Sequence, residues 1–135
     1  MVCVYCGGET KVTNSRRQKR NNQIWRRRQC LKCQAIFSSH EIIDLSTALL
    51  VGAEAPKPFI EDLLYSDLLM ALRDHQGSHT AARETTHTII QELLKLPQKP
   101  QYAAKDISYV TGDVLSRLDR QAYLRYVAEH PSLQQ

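Results

Sequence analysis

The chain has 135 residues, of which 42% are hydrophobic and 24% charged, and its formal net charge is +4. This length suits a small module and one further domain of about 90 residues. No apolar run approaches the roughly 18 residues of a membrane span. Met1 leads directly into a cysteine pair rather than into a signal peptide, so we expect a cytoplasmic protein without a membrane partner.

All four cysteines lie in two Cys-x-x-Cys pairs, Cys3/Cys6 and Cys30/Cys33. Two such pairs supply the four thiolates that bind structural Zn²⁺ tetrahedrally, with no open position for catalysis. We therefore predict one structural Zn²⁺ bound by all four cysteines. Iron also binds four thiolates and remains an alternative. Disulfides need an oxidising compartment, and a redox pair needs a βαβ context that the sequence lacks.

The cysteine pairs bracket a module that we predict to be a zinc ribbon over residues 1–40. About 40 residues bury too little apolar surface to fold alone, and a structural zinc supplies about 10 kcal/mol or more of folding free energy. Turns are predicted at Gly7-Gly8 and Asn21-Asn22. Short strands are predicted at 11–13, 23–27 and 35–38.

Charge divides the sequence into two parts. Residues 1–40 contain nine Lys or Arg and one acidic residue, whereas residues 41–135 contain nine Lys or Arg and thirteen acidic residues. The basic residues of the ribbon cluster within 16–20 and 26–28, and Lys32 follows. Such a density of cations predicts a nucleic-acid surface whose binding weakens with salt. A solvated basic surface that keeps the protein soluble is the alternative.

Several ribbon residues are candidates for contacts with nucleic acid. Asn14, Ser15 and Arg16 are predicted to form a polar turn, in which Arg is suited to guanine and Asn to adenine. Trp25 and Tyr5 are suited to stacking on bases, although we favour a role in the ribbon core. The predicted DNA-binding residues are Asn14, Ser15, Arg16, Arg17, Arg26, Arg27, Arg28 and Lys32.

The rest of the chain is predicted to be mainly helical, which gives an α+β protein overall. Residues 41–47 are the predicted linker and 48–135 the second domain. Residues 46–51 indicate a short strand or a first helical turn, and Gly and Pro place a turn over 52–58. Helices are predicted at 62–74, 80–95, 106–118 and 121–130.

No catalytic motif is present in the sequence, so we do not expect an enzyme. His75, His79 and His87 lie within thirteen residues of one another. Gly77 interrupts the first pair, and no cysteine or carboxylate completes a ligand set. Surface or capping roles are therefore favoured over a second metal site.

Six stretches carry a resemblance to a known family: CVYC at 3–6, KVTNSR at 11–16, RRRQCLKC at 26–33, FSSHE at 37–41, PF at 58–59 and LSRLDRQAYLRYV at 115–127. Together they resemble the NrdR repressors of bacterial ribonucleotide reductase genes. The resemblance covers nearly the whole chain and is most specific at its two ends.

This resemblance implies a zinc ribbon that binds repeated boxes in double-stranded DNA upstream of ribonucleotide reductase genes. It also implies a nucleoid-associated repressor whose second domain is an ATP-cone. In the family, that domain senses ATP and dATP and sets the state of a homo-oligomer.

The sequence departs from the family at the opening of the cone. Gly52 and Ala53 stand where the family has a basic pair that holds nucleotide phosphates, so the remaining candidates for nucleotide binding are Val51, Gly52 and Lys57. Loss of two cations removes charge-assisted contacts to a polyphosphate. An adaptor that binds protein or RNA in a transcription or translation assembly is the alternative function, since a fold does not fix a function.

Overall fold

The computed structural model describes residues 1–20, 22–52, 54–97 and 100–133. The chain divides into two compact units, Met1–Ile43 and Asp44–Gln135. The division falls inside the range 41–47 that the sequence assigns to the linker. The first unit is an antiparallel sheet with a cysteine cluster and the second is mostly helical, which confirms the predicted α+β class.

The first unit is built on three strands, β1 (Thr10–Gln18), β2 (Gln23–Cys30) and β3 (Ile36–Glu41). They form an antiparallel sheet in the order β1-β2-β3. Each predicted strand is present, and each is longer than the sequence suggests. The β1–β2 pairing has one irregularity between Val12 and Asn14, which is the kind of bulge that increases the local twist of a strand pair.

The predicted polar turn at Asn14, Ser15 and Arg16 is wrong, because these residues lie within β1. They pair with Arg27, Arg26 and Trp25 of β2. Polar residues favour turns locally, but cross-strand pairing over the whole hairpin overrides that preference.

Each of the two predicted turns contains a residue with positive φ and a backbone hydrogen bond that closes it. Gly7 has φ +69° and donates its backbone N–H to the carbonyl of Cys3 at 2.9 Å, as expected of a tight glycine turn. Asn22 has φ 48° and donates to the carbonyl of Lys19 at 3.4 Å. Asn21 lies outside the described residues.

The second unit begins with small elements. The sequence left residues 46–51 open between a short strand and a first helical turn. The structure contains both, as helix α1 (Leu45–Ala48) and strand β4 (Leu50–Val51). Strand β5 (Lys57–Pro58) lies in the predicted turn over 52–58, of which Ala53 is outside the described residues. Strand β6 (Gln101–Tyr102) was not predicted, and it pairs in parallel with β4 while β5 pairs antiparallel.

All four predicted helices are present, with ends that differ from the prediction by at most three residues. The hydrophobic core of the unit collects their buried faces, since leucine and isoleucine recur at helical spacing. The helices are α2 (Glu61–Ala71), α3 (Ser78–Lys95), α4 (Ala104–Leu118) and α5 (Arg120–Glu129), and a 3₁₀ turn (Pro131–Leu133) follows.

Asp119 links two parts of this bundle. One carboxylate oxygen accepts the backbone N–H groups of Gln121 and Ala122 at 2.8 and 3.0 Å, which caps α5. The other oxygen lies 3.2 Å from Nδ1 of His75. The Ala122 N–H and then the His75 side chain hold the pKa of Asp119 below its usual value.

We predict that Asp119→Ala lowers the free energy of unfolding by about 1 kcal/mol, the usual cost of losing such a cap. The folded pKa of Asp119 is depressed, so its stabilisation is present above the unfolded value of about 3.9 and is lost as pH falls through the folded pKa. Urea unfolding at neutral and acidic pH measures both effects.

The control is Asp113→Ala, which removes an exposed carboxylate paired with Arg117 one helical turn away. Exposed pairs of this kind contribute about 0.5 kcal/mol or less. Equal losses in the two variants, or a loss from Asp119→Ala that persists undiminished at low pH, would contradict the role of the cap.

Candidate metal centre and nucleic-acid interface

Two tight turns bring the four predicted metal ligands together. The sulfurs of Cys3, Cys6, Cys30 and Cys33 all lie within 4.8 Å of one another. The Cys3–Cys33 sulfur separation is 3.7 Å and the Cys6–Cys30 separation is 3.5 Å. A tetrahedron with zinc–sulfur bonds of 2.3 Å has edges of about 3.8 Å. The cluster therefore has the size and the donor set that fit one Zn²⁺.

Backbone N–H groups converge on the buried sulfurs. Tyr5 N lies 3.4 Å from the Cys3 sulfur, and the backbone nitrogens of Lys32 and Cys33 each lie 3.3 Å from the Cys30 sulfur. The Cys33 N–H, aided by that of Lys32, lowers the pKa of Cys30 to about 6. These donors stabilise a thiolate, which is the form that binds a metal.

The Cys6 sulfur is in a different environment. The backbone N–H of Gly8 favours the Cys6 thiolate, but the neighbouring Cys33 and Cys30 side chains prevail and raise the pKa of Cys6 to about 12. Four thiolates at this spacing repel one another. A divalent cation at their centre removes that repulsion, so the chemistry of the cluster fits a metal.

Gly8 shows why the first turn has this sequence. A Cβ at this position would lie 3.1 Å from Cβ of Lys32, 3.3 Å from the Cys6 sulfur and 3.4 Å from the Cys30 sulfur. A side chain there would press the two cysteine turns apart. The absent Cβ lets them approach closely enough for their sulfurs to meet.

The three-stranded sheet separates the basic residues onto two faces. Residues that pair across antiparallel strands share a face, and neighbours along a strand alternate between faces. We call one side the hairpin face. The register places Lys11, Asn14, Arg16, Trp25, Arg27, Ser38 and His40 on it, and Ser15, Arg17, Ile24, Arg26, Arg28, Ser39 and Glu41 on the opposite face.

Side-chain contacts agree with this division. On the hairpin face, the Arg16 guanidinium lies 5.9 Å from the centre of the Trp25 ring. On the opposite face, Arg26 donates to Glu41 at 2.7 Å and Arg28 donates to Ser39 at 2.9 Å. The predicted DNA-binding residues therefore do not form one continuous patch.

The remaining ribbon candidates lie in the cysteine turns. Lys32 is exposed in the second turn, beside the cysteine cluster. Tyr5 is 72% exposed in the first turn, so its predicted place in the ribbon core is wrong. Trp25 is half-buried under Arg16 on the sheet surface. A sheet with a single thin layer offers little interior for large side chains.

The structure also locates the nucleotide candidates. Val51 and Lys57 line a cleft of about 410 Å³ between β4, β5, α2, α4 and α5, whereas Gly52 is not among its described lining residues. Gly52 donates its N–H to the carbonyl of Tyr102 at 2.9 Å. Most residues that line the cleft are apolar. Its described lining contains one Lys or Arg, which is Lys57, and one Asp or Glu, which is Asp67.

Residues 1–41 match the family model described as transcriptional repressor NrdR-like, N-terminal domain. This part of the chain is an NrdR-like zinc-ribbon domain, which confirms the resemblance at the N-terminus. The match does not extend to the helical unit, so the ATP-cone remains a prediction there.

Among the described residues, no helix is both long enough and apolar enough to cross a membrane.

We predict that Cys6→Ser abolishes stoichiometric zinc binding and unfolds the sheet, because three thiolates and a hydroxyl bind Zn²⁺ far more weakly than four thiolates. Metal analysis and circular dichroism measure the two effects. Helical signal from α2–α5 should persist.

Ser38→Ala, which alters an exposed serine in the same sheet, is the control and should keep its metal. A Cys6→Ser protein that retains one zinc per chain with wild-type affinity would contradict the four-ligand assignment.

Proposed function

We propose that this protein is a zinc-dependent, DNA-binding transcriptional repressor of the NrdR type that binds repeated boxes upstream of ribonucleotide reductase genes. The observation that carries the proposal is the NrdR-like match over residues 1–41, together with four converging cysteine sulfurs. The same segment holds nine of the eighteen Lys and Arg residues of the chain. Its place of action is the bacterial nucleoid in the cytoplasm.

The metal and the DNA-binding role are connected. Nine cations on a segment of about forty residues repel one another, and the ribbon has few buried side chains to offset that repulsion. Zinc bound by the four cysteines would hold the end of the sheet where β1 and β3 begin and β2 ends, and so fix the spacing of the cations. Phosphates of a duplex then neutralise them and release counterions, which favours binding at low salt.

We further propose that the helical unit acts as an ATP-cone-like domain that sets the state of a homo-oligomer. We expect this domain to bind nucleotides more weakly than the ATP-cone of the family does. Lys57 is the one Lys or Arg among the described residues that line the cleft, and the carboxylate of Asp67 lines it too. A triphosphate carries several negative charges and needs several charge-assisted contacts. Val51 and Gly52 contribute no charge to such a site.

One observation favours the adaptor alternative. The two cysteine turns expose large apolar side chains, with Val4 69%, Tyr5 72% and Leu31 49% exposed. Exposed apolar groups that lie together are typical of surfaces that bind protein. Zinc bound by both turns would hold these three residues near one another, and a ribbon that docks on protein would use them in place of its cations.

Binding to duplex DNA separates the two functions. We expect the zinc-loaded protein to bind a duplex from upstream of the host's ribonucleotide reductase genes more tightly than a scrambled duplex, as measured by fluorescence anisotropy. If about five cations contact phosphate, log Kd should rise with log salt with a slope of roughly 4 to 5. Removal of zinc by a chelator should abolish the preference.

Equal affinity for the two duplexes would contradict the repressor and favour the adaptor. In that case Tyr5→Ser, which removes an exposed apolar group without changing charge, would be the variant with which to test docking on protein.

We predict that dATP binds weakly, with no saturation at sub-millimolar concentration in isothermal titration calorimetry, because a single lysine offers too little compensation for a triphosphate. Restoring a cation with Gly52→Lys tests the cause, although φ +117° at this position makes any side chain strained there. Saturation by sub-millimolar dATP in the wild-type protein would contradict this account, and Lys57→Met would then show whether the lysine carries that binding.

A further inference from the structure

We propose that duplex DNA is contacted by one side of the ribbon sheet, the hairpin face, through Lys11, Asn14, Arg16 and Arg27, while Arg17, Arg26 and Arg28 face away from it. This inference rests on the proposed function and specifies the partner surface within it. It divides each basic run of the sequence between a DNA-contacting side and a non-contacting side.

The first step is the register of the hairpin. Arg16 pairs with Trp25 and Asn14 with Arg27, whereas Arg17 pairs with Ile24 and Ser15 with Arg26. Arginines that are adjacent in sequence therefore point to opposite sides of the sheet. A rigid duplex contacts one side at a time, so at most one member of each adjacent pair lies against it.

The second step is charge. The three strands contain one acidic residue, Glu41, which pairs across the sheet with Ile24 on the opposite face. Glu41 accepts a hydrogen bond from Arg26 at 2.7 Å. The hairpin face carries Lys11, Arg16 and Arg27 without a carboxylate of the strands beside them, so its potential is the more positive.

The third step is accessibility. Lys11, Asn14, Arg16 and Arg27 are all exposed. On the opposite face Arg17 is exposed as well, but the Arg26 side chain is 30% exposed and is held by Glu41. Arg28 is half-buried and donates to the hydroxyl of Ser39. To reach phosphate, Arg26 would first have to give up its ion pair.

The fourth step is the chemistry of base recognition. Asn14 and Arg27 are cross-strand partners, so an amide and a guanidinium stand side by side. These are the groups that bond bidentately to adenine and guanine in the major groove. Arg16 lies over Trp25, and this contact restricts the guanidinium before DNA arrives.

The dimensions of the hairpin also suit a duplex. Two neighbouring strands are about 4.8 Å apart, and the major groove of about 12 Å admits a two-stranded β-ribbon. Strand β1 is at the edge of the sheet, so the β1–β2 side of the hairpin face can approach a groove without β3 intervening. The bulge beside Asn14 adds twist to that pair of strands.

The test compares two double variants of the full-length, zinc-loaded protein. R16Q/R27Q removes two cations from the hairpin face, and R17Q/R26Q removes two from the opposite face. Each variant changes β1 and β2 once, and both lose the same net charge. The probe is the reductase-promoter duplex, with a scrambled duplex beside it, and anisotropy is measured over a range of salt concentrations.

We expect R16Q/R27Q to weaken binding at least tenfold and to lower the log–log salt slope by about 1 to 2, since each phosphate contact contributes about 0.9 and Arg27 also faces the bases. R17Q/R26Q should change affinity less than about threefold, by a diffuse effect of charge on the surrounding field. Zinc content is measured for each variant, and the single variants R27Q and R26Q repeat the comparison should a double variant lose its metal.

The outcomes are distinct. Equal losses from the two double variants, or a larger loss from R17Q/R26Q, would overturn the assignment of the hairpin face while leaving the repressor intact. A wild-type protein that binds the promoter and scrambled duplexes equally would instead overturn the proposed function on which the assignment rests.

Discussion

Convergence of four cysteine sulfurs is the constraint on which the ribbon depends. Cys3 and Cys30 are the buried hydrophobic residues among the described part of Met1–Ile43, so the sheet has almost no apolar interior of its own. Hydrophobic burial at about 25 cal/mol per Å² cannot fold such a layer against its chain entropy. We propose that a metal bound by the four sulfurs supplies the stabilisation that the core does not, and the absent Cβ of Gly8 lets the two turns close around it. The helical unit, by contrast, has a continuous hydrophobic core.

A second constraint follows from the first. The four sulfurs converge at one end of a single-layer sheet, and alternation along each strand decides to which face of that sheet each cation points. Arginines that are adjacent in the sequence, such as Arg16 and Arg17, therefore lie on opposite faces of the sheet. The hairpin face keeps Arg16 and Arg27 exposed and away from the strand carboxylate, whereas on the opposite face Arg26 is bonded to Glu41 and Arg28 to Ser39. This division allows a small domain to be strongly basic and still present a defined surface.

The sequence predicted those features that depend on short-range patterns. Cysteine spacing predicted four metal ligands, whose sulfurs the structure brings together, and helical periodicity placed α2–α5 within a few residues. Features that depend on pairing between distant segments were missed or misread. The stretch from Asn14 to Arg16 looks like a turn locally but is held in β1 by β2, and β6 is only two residues long and exists through its pairing with β4. Lys11 was not singled out because a lone lysine between Thr10 and Val12 carries no signal until the register pairs it with Gln29, on the same face as Asn14 and Arg27.

The most direct test of the central claim, that bound metal organises the DNA-binding sheet independently of the helical unit, is amide hydrogen exchange followed by mass spectrometry with and without a zinc chelator. Peptides covering β1, β2 and β3 should lose protection when zinc is removed, while peptides covering α2–α5 keep theirs. Protection that persists in the sheet after complete removal of the metal would contradict the claim, because the ribbon would then be stabilised by something other than its four cysteines and their ion.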